Sequence, residues 1–107
     1  MAENAQDRKL HDREVALEEI SWALARADDP RLIREFLKSI LTQNEVDEIA
    51  ARWALVRLID DGMSQRKISR ELGLSLCKIT RGSKELKKRG SAFKRMIVTY
   101  RENHSTI

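Results

Sequence analysis

The sequence predicts an all-α protein of about six helices. Three observations carry that expectation. Five of the 107 residues are aromatic, 36% are charged and one is proline, which suits a small helical protein better than a sheet sandwich. Every segment with a hydrophobic period reads as helix. Between those segments stand residues that cap helices or break them. By length the chain, residues 1–107, is a single domain. Its own core is modest, so pairing with a second copy would help it.

The elements follow in order. Leu10, Leu17, Ile20, Leu24 and Ala27 form the first stripe. Asp29-Pro30 reads as an N-cap followed by proline at the first helical position. Leu32, Ile33, Phe36, Leu37, Ile40 and Leu41 form the second stripe. Thr42 and Glu45 make a capping box that starts a third helix, expected to run to about Asp60. This helix is apolar on two faces, one with Val46, Ile49, Trp53 and Val56, the other with Ala51, Leu55, Leu58 and Ile59. A helix apolar most of the way round is buried most of the way round. Its second face is expected to meet a partner subunit, which makes residues 10–62 a dimerisation core. Gly62 ends it as a left-handed C′ residue.

Residues 63–88 read MSQRKISRELGLSLCKITRGSKELKK. Ser64 caps a short helix, with Met63 and Ile68 as its hydrophobic staple. Gly73 breaks that helix. Ser75 caps the next, stapled by Leu74 and Ile79. Two short capped helices across a glycine turn make a helix-turn-helix. Ile79, Ser83 and Leu86 are expected to face inward, and Leu76, Cys77, Lys78, Thr80 and Arg81 outward. A last helix, residues 91–103, packs through Phe93, Met96, Ile97 and Tyr100. The tail from Glu102 shows no pattern.

Charge is divided unevenly. Residues 1–62 hold nine Lys/Arg and fourteen Asp/Glu, a net of −5, while residues 63–107 hold twelve and three, a net of +9. A basic half that coincides with a helix-turn-helix points to DNA. In that reading the second helix of the motif enters the major groove. Leu76 and Cys77 suit a thymine methyl or a base edge, and basic residues of both helices reach phosphates. The candidate DNA contacts are Gln65, Arg66, Ser69, Ser75, Leu76, Cys77, Lys78, Thr80, Ser83 and Lys87. The plain alternative is a helical hairpin in an ordinary bundle.

Other classes have less support. Cys77 is the only cysteine, so no intrachain disulfide forms and a reducing cytoplasm is the expected location. No apolar run reaches the length of a membrane span, and the polar, acid-bearing start is unlike a signal peptide. His11 and His104 lie in polar ends, and no acid or base accompanies Cys77 at a catalytic spacing. An enzyme is therefore not expected, and neither a metal nor a cofactor is called for.

The run M-S-Q-R at 63–66, the glycine and serine that follow Glu71, and I-T-R-G-S-x-x-L-K from Ile79 together resemble the Trp repressor family. Upstream, Leu41, Thr42 and Glu45, with Arg52 ten residues past Thr42, are similar too. The resemblance covers roughly residues 36–88 and implies an intertwined homodimer with two DNA-reading heads. It also implies L-tryptophan as corepressor, its indole between Arg52 and Arg81. Gly82 would let the ligand approach the backbone. Its ammonium would meet carbonyls of Ser39, Leu41 and Thr42 of the other subunit, at a helix C-terminus where a cation is favoured. The residues alone leave other roles open: Arg52 pairing with Glu48, or Arg81 touching phosphate.

The sequence departs from the family pattern in several places. Glu85 stands where a serine near the ligand's amino group is usual. Lying four residues after Arg81, it is expected to form a salt bridge with it. The loop at Asp60-Asp61-Gly62 is one residue short. Gln43 and Ser69 replace a proline and a lysine. The resemblance implies a repressor, activated by tryptophan, of genes that make or import tryptophan, acting at a near-palindromic operator. Two alternatives stand beside it: a ligand-independent regulator of the same fold, and a helical interaction module that binds no DNA.

Overall fold

The computed structural model describes residues 4–104. Those residues form six helices and no strand: α1 (Ala5–Arg26), α2 (Pro30–Ile40), α3 (Gln43–Asp60), α4 (Gln65–Leu72), α5 (Leu76–Lys87) and α6 (Ala92–His104). The all-α expectation holds. The chain divides into two units, Met1–Gln43 and Asn44–Ile107.

The first unit holds α1 and α2. The Asn4 side chain accepts from the Asp7 N–H at 2.8 Å and opens α1. Asp29 caps α2 by accepting from the Arg31 N–H at 3.0 Å, with Pro30 at the first helical position as expected. Neither helix contains a buried residue. Ile20, Leu24, Ile33, Phe36 and Leu37 are half-buried. Leu10, Leu17, Trp22, Leu32 and Ile40 are exposed, Leu17 at 64%. The Arg26 guanidinium lies 5.0 Å over the Trp22 ring.

The second unit holds α3 to α6 around a core of Leu55, Val56, Ile68, Ile79 and Ile97, each 0–2% exposed. Trp53, Leu58, Met63, Leu72, Leu86 and Phe93 pack against it. α3 closes with paired bonds: the Met63 N–H donates to the Leu58 carbonyl at 3.1 Å and the Gly62 N–H to the Ile59 carbonyl at 3.0 Å. This is a Schellman cap, and it needs the left-handed φ of +90° that Gly62 adopts. The Ser64 hydroxyl then accepts from the Lys67 N–H at 3.2 Å, and Ser75 from the Lys78 N–H at 3.3 Å. Between the two helices Gly73 sits at φ +66°.

α6 is capped by Ser91, whose hydroxyl accepts from the Lys94 N–H at 3.1 Å. It is clamped to the end of α3 by charge. Asp60, its side chain only 10% exposed, pairs with Lys94 and, at 3.2 Å, with Arg101. Arg101 also reaches Asp61 at 2.6 Å. Phe93 stacks on Trp53 with centroids 5.6 Å apart, and Tyr100 meets the same indole edge-on at 6.2 Å. The expected α6 stripe is only partly inward, because Met96 is 59% exposed while Ile97 is fully buried. The helix runs to His104, so the unpatterned tail expected from Glu102 is helical over its first three residues. Ser105–Ile107 lie outside the described residues.

Candidate nucleic-acid interface and ligand cleft

The reading head is α4, the Gly73-Leu74-Ser75 turn and α5. Ile68 and Ile79, one from each helix, are fully buried and lock the pair together. With those positions inward, the opposite side of α5 is open: Leu76, Cys77, Lys78, Thr80 and Arg81 are all exposed. Gln65, Arg66, Lys67 and Lys87 are exposed as well. A helix that offers a short apolar tip followed by basic groups can meet base edges and phosphates together.

Three residues of the expected contact set do structural work. Ser83 is 7% exposed and packs inward, so its burial removes it from the surface a duplex could touch. The Ser69 hydroxyl donates to the Leu74 carbonyl at 2.9 Å and ties down the turn. Ser75 spends its hydroxyl on the α5 cap.

Behind the reading face lies a cleft of about 560 Å³. That falls within the roughly 300–1,000 Å³ typical of small-molecule sites. α3 contributes Asp47, Glu48, Ala51, Arg52, Leu55 and Val56, and α5 contributes Lys78, Arg81, Gly82 and Glu85. Leu74 and Phe93 complete it. Arg52, Arg81, Gly82 and Glu85, four of the residues assigned to a ligand, are thus brought together. Lys78, Leu74 and Phe93 were not expected there. Lys78, Arg81 and Glu85 are spaced i, i+3, i+7 and so share one helix face, a signal present in the sequence. Phe93 carries no such local signal. Two further hollows run along α1, lined by that helix alone or with its cap Asn4, so they join no second element.

Ser39, Leu41 and Thr42 lie in the first unit, at the C-terminal end of α2. The Leu41 N–H closes α2 on the Leu37 carbonyl at 3.0 Å, and the Ser39 hydroxyl folds back onto the Phe36 carbonyl at 2.7 Å.

One expectation about the cleft needs correction. Glu85 does not bridge Arg81. It pairs with Lys88 at 2.7 Å, three residues on. Hydrogen bonding and charge from Lys88, with a smaller contribution from Arg81, hold the Glu85 carboxyl below its ordinary value despite some opposing desolvation. Among the described residues neither Arg81 nor Arg52 is in an ion pair, so the Arg52–Glu48 pairing is not formed either. Gly82 packs closely on α3. A Cβ there would stand 3.2 Å from Val56 Cγ2 and 3.3 Å from Leu55 Cδ2. The side chains of Leu55 and Val56 on α3 thus already come close to the Gly82 backbone.

Among the described residues no cluster of three His, Cys, Asp or Glu could hold a metal, and no helix is long and apolar enough to cross a membrane.

A capped helix-turn-helix with a basic outer face, carried on an all-helical scaffold, defines a DNA-binding transcriptional regulator. A family model described as Trp repressor protein matches residues 16–101. A Trp operon repressor homolog of Xylella fastidiosa (strain M23) is 33% identical over 75 residues, covering 69% of this chain and 82% of that one. A Trp operon repressor homolog of Chlamydia caviae is 33% identical over 69 residues, 64% of this chain and 68% of its own length. One from Chlamydia trachomatis serovar D is 29% identical over 68 residues, 63% and 72% of the two chains. No solved structure matches at a significant level. The chain belongs to the Trp repressor family, whose members are regulators rather than enzymes.

Proposed function

We infer that this chain is a cytoplasmic homodimeric repressor gated by L-tryptophan, acting at a near-palindromic operator that controls tryptophan synthesis or uptake. The observation that carries the reading is the meeting of Arg52 and Arg81 at one cleft floored by Leu55, Val56 and Gly82. Guanidinium planes suit an aromatic face, and a guanidinium also grips a carboxylate. An apolar floor between two such groups fits an indole-bearing acid.

The dimer is supported by what α1 and α2 leave uncovered. Leu10, Leu17, Trp22, Leu32 and Ile40 are exposed, more large apolar side chains than two helices normally show to water. A second copy covering them would also bring the carbonyls of Ser39, Leu41 and Thr42 to the ligand's ammonium. In helix-turn-helix repressor dimers, the Trp repressor among them, half-sites lie about one helical turn apart. The ligand acts by binding the DNA-competent arrangement of heads better than others, since only differential affinity shifts an equilibrium.

Calorimetric titration of L-tryptophan tests this. Saturable binding of one ligand per chain is expected, abolished or strongly weakened in Arg81→Ala. Gel-shift selection from random duplexes should yield a two-fold symmetric site only when tryptophan is present, with affinity falling steeply as salt rises. Equal operator affinity with and without tryptophan would leave a ligand-independent regulator. In that second reading Glu85 would stand in for the ligand by holding Arg81, whereas Glu85 is engaged with Lys88.

A further inference from the structure

We propose that Phe93, from the last helix, sizes the ligand cleft: the ring of the bound amino acid seats against it, and it decides which ring substituents that ligand can carry. The inference rests on the cleft being the ligand site argued above. It concerns a residue outside the Arg52–Arg81 pair, on a helix that carries neither of them.

Three helices meet at the cleft. On α3, Glu48, Arg52 and Val56 recur every four residues and mark one face of that helix. On α5 the lining runs from Lys78 to Glu85, two turns or roughly 10 Å. α6 supplies Phe93 alone, and among the lining residues Phe93 is the only aromatic ring. The floor at Gly82 is already in contact with Leu55 and Val56, so extra ligand bulk is not taken up there.

The Phe93 ring is held in place. It stacks on Trp53, with 5.6 Å between centroids and 20° between planes. Trp53 does not itself line the cleft, so it acts as a backstop. Tyr100 braces the same indole edge-on. The next residue, Lys94, pairs with the largely buried Asp60, and Arg101, two turns on, holds both Asp60 and Asp61. Ser91 caps the helix just before the ring. A side chain packed and anchored in this way does not move aside cheaply for a larger ligand. The part of the half-buried ring left uncovered by Trp53 offers a ligand ring an aromatic partner.

The test titrates L-tryptophan and its 4-, 5-, 6- and 7-methyl derivatives into the full chain by calorimetry. Phe93→Leu keeps an apolar side chain but removes the ring. It should weaken tryptophan roughly two- to ten-fold, the scale of one aromatic pair. It should also raise the affinity of at least one methyl isomer relative to tryptophan about four-fold, the scale of seating one methyl group. Ile97→Val thins the core behind α6 without touching the cleft, and should leave those ratios unchanged. If Phe93→Leu lowers all five ligands alike, Phe93 serves packing alone and the assignment is overturned, while the ligand site stands. An equal change of ratios in Ile97→Val would overturn it too, since general loosening of α6 would then be the cause. Failure of the unaltered protein to bind tryptophan at all would instead remove the ligand reading, and this inference with it.

Discussion

Residues 1–43 and residues 44–107 obey the same local rules and reach different ends. Each half places its helices with the expected caps, Asp29 in one, Ser64 and Ser75 in the other. The second unit converts its stripes into a core, with five apolar side chains at 0–2% exposure. The first has no buried residue on either helix. Periodicity therefore marks which side chains need cover without saying what covers them. In the second unit the cover is intramolecular, since α4, α5 and α6 surround the middle of α3. In the first unit the stripes await another surface, and the proposed second copy is the economical source of one.

The contrast can be broken most directly in the core. Ile79→Ala removes a fully buried side chain and should cost about 2–5 kcal/mol in chemical denaturation. A loss as small as that of a surface substitution would mean the second unit does not rely on this core. Next in size, Gly82→Val forces a branched side chain into the space held by Val56 and Leu55. Overpacking of this kind costs about 1–3 kcal/mol. Tryptophan affinity should then fall together with the melting temperature. A variant that melts normally would show that α3 does not need the glycine.

Ser75→Ala deletes the cap of the reading helix and should cost about 1 kcal/mol, with DNA affinity reduced in step. Leu17→Ala sharpens the comparison from the other side. In protein dilute enough to be monomeric it should change stability by no more than about 0.5 kcal/mol, because Leu17 is exposed there. At higher concentration it should weaken self-association in sedimentation runs. An equal cost at every dilution would place Leu17 in a core within its own chain.

The smallest effect concerns acid. The Glu85 carboxyl titrates below its ordinary value in the folded state, so its contribution to stability is fully present above the unfolded-state pKa. That contribution fades as pH falls through the lowered one. Glu85→Gln should therefore narrow the stability difference between neutral and acidic pH slightly. Enlargement of that difference would contradict the Lys88 pairing.

Much of the second unit was legible because its signals are local. Gly62 and Gly73 stand where the chain must turn left-handed, and Ser64 and Ser75 where helix N–H groups lack partners. Ile68 and Ile79 were legible as inward from the spacing around those caps. For Ser83 the helical period points inward and the motif points to DNA, and its burial follows the period. The cleft was half legible. Arg52 and Arg81 entered through family resemblance, whereas Phe93 came from a helix with no sequence link to either.

By itself, then, the sequence determined where helices start and stop, which halves carry which charge, and which face of α5 is open. Hydrogen bonds over three and four residues and the 3.6-residue period act within a few positions of the chain. Tertiary structure alone decided the choices among distant or competing partners. It joined Asp60 to Lys94 and Arg101, 34 and 41 residues away, and set Gly82 against Val56. Such choices depend on which side chains the packed helices bring within a few ångströms, and no pattern along one helix encodes that.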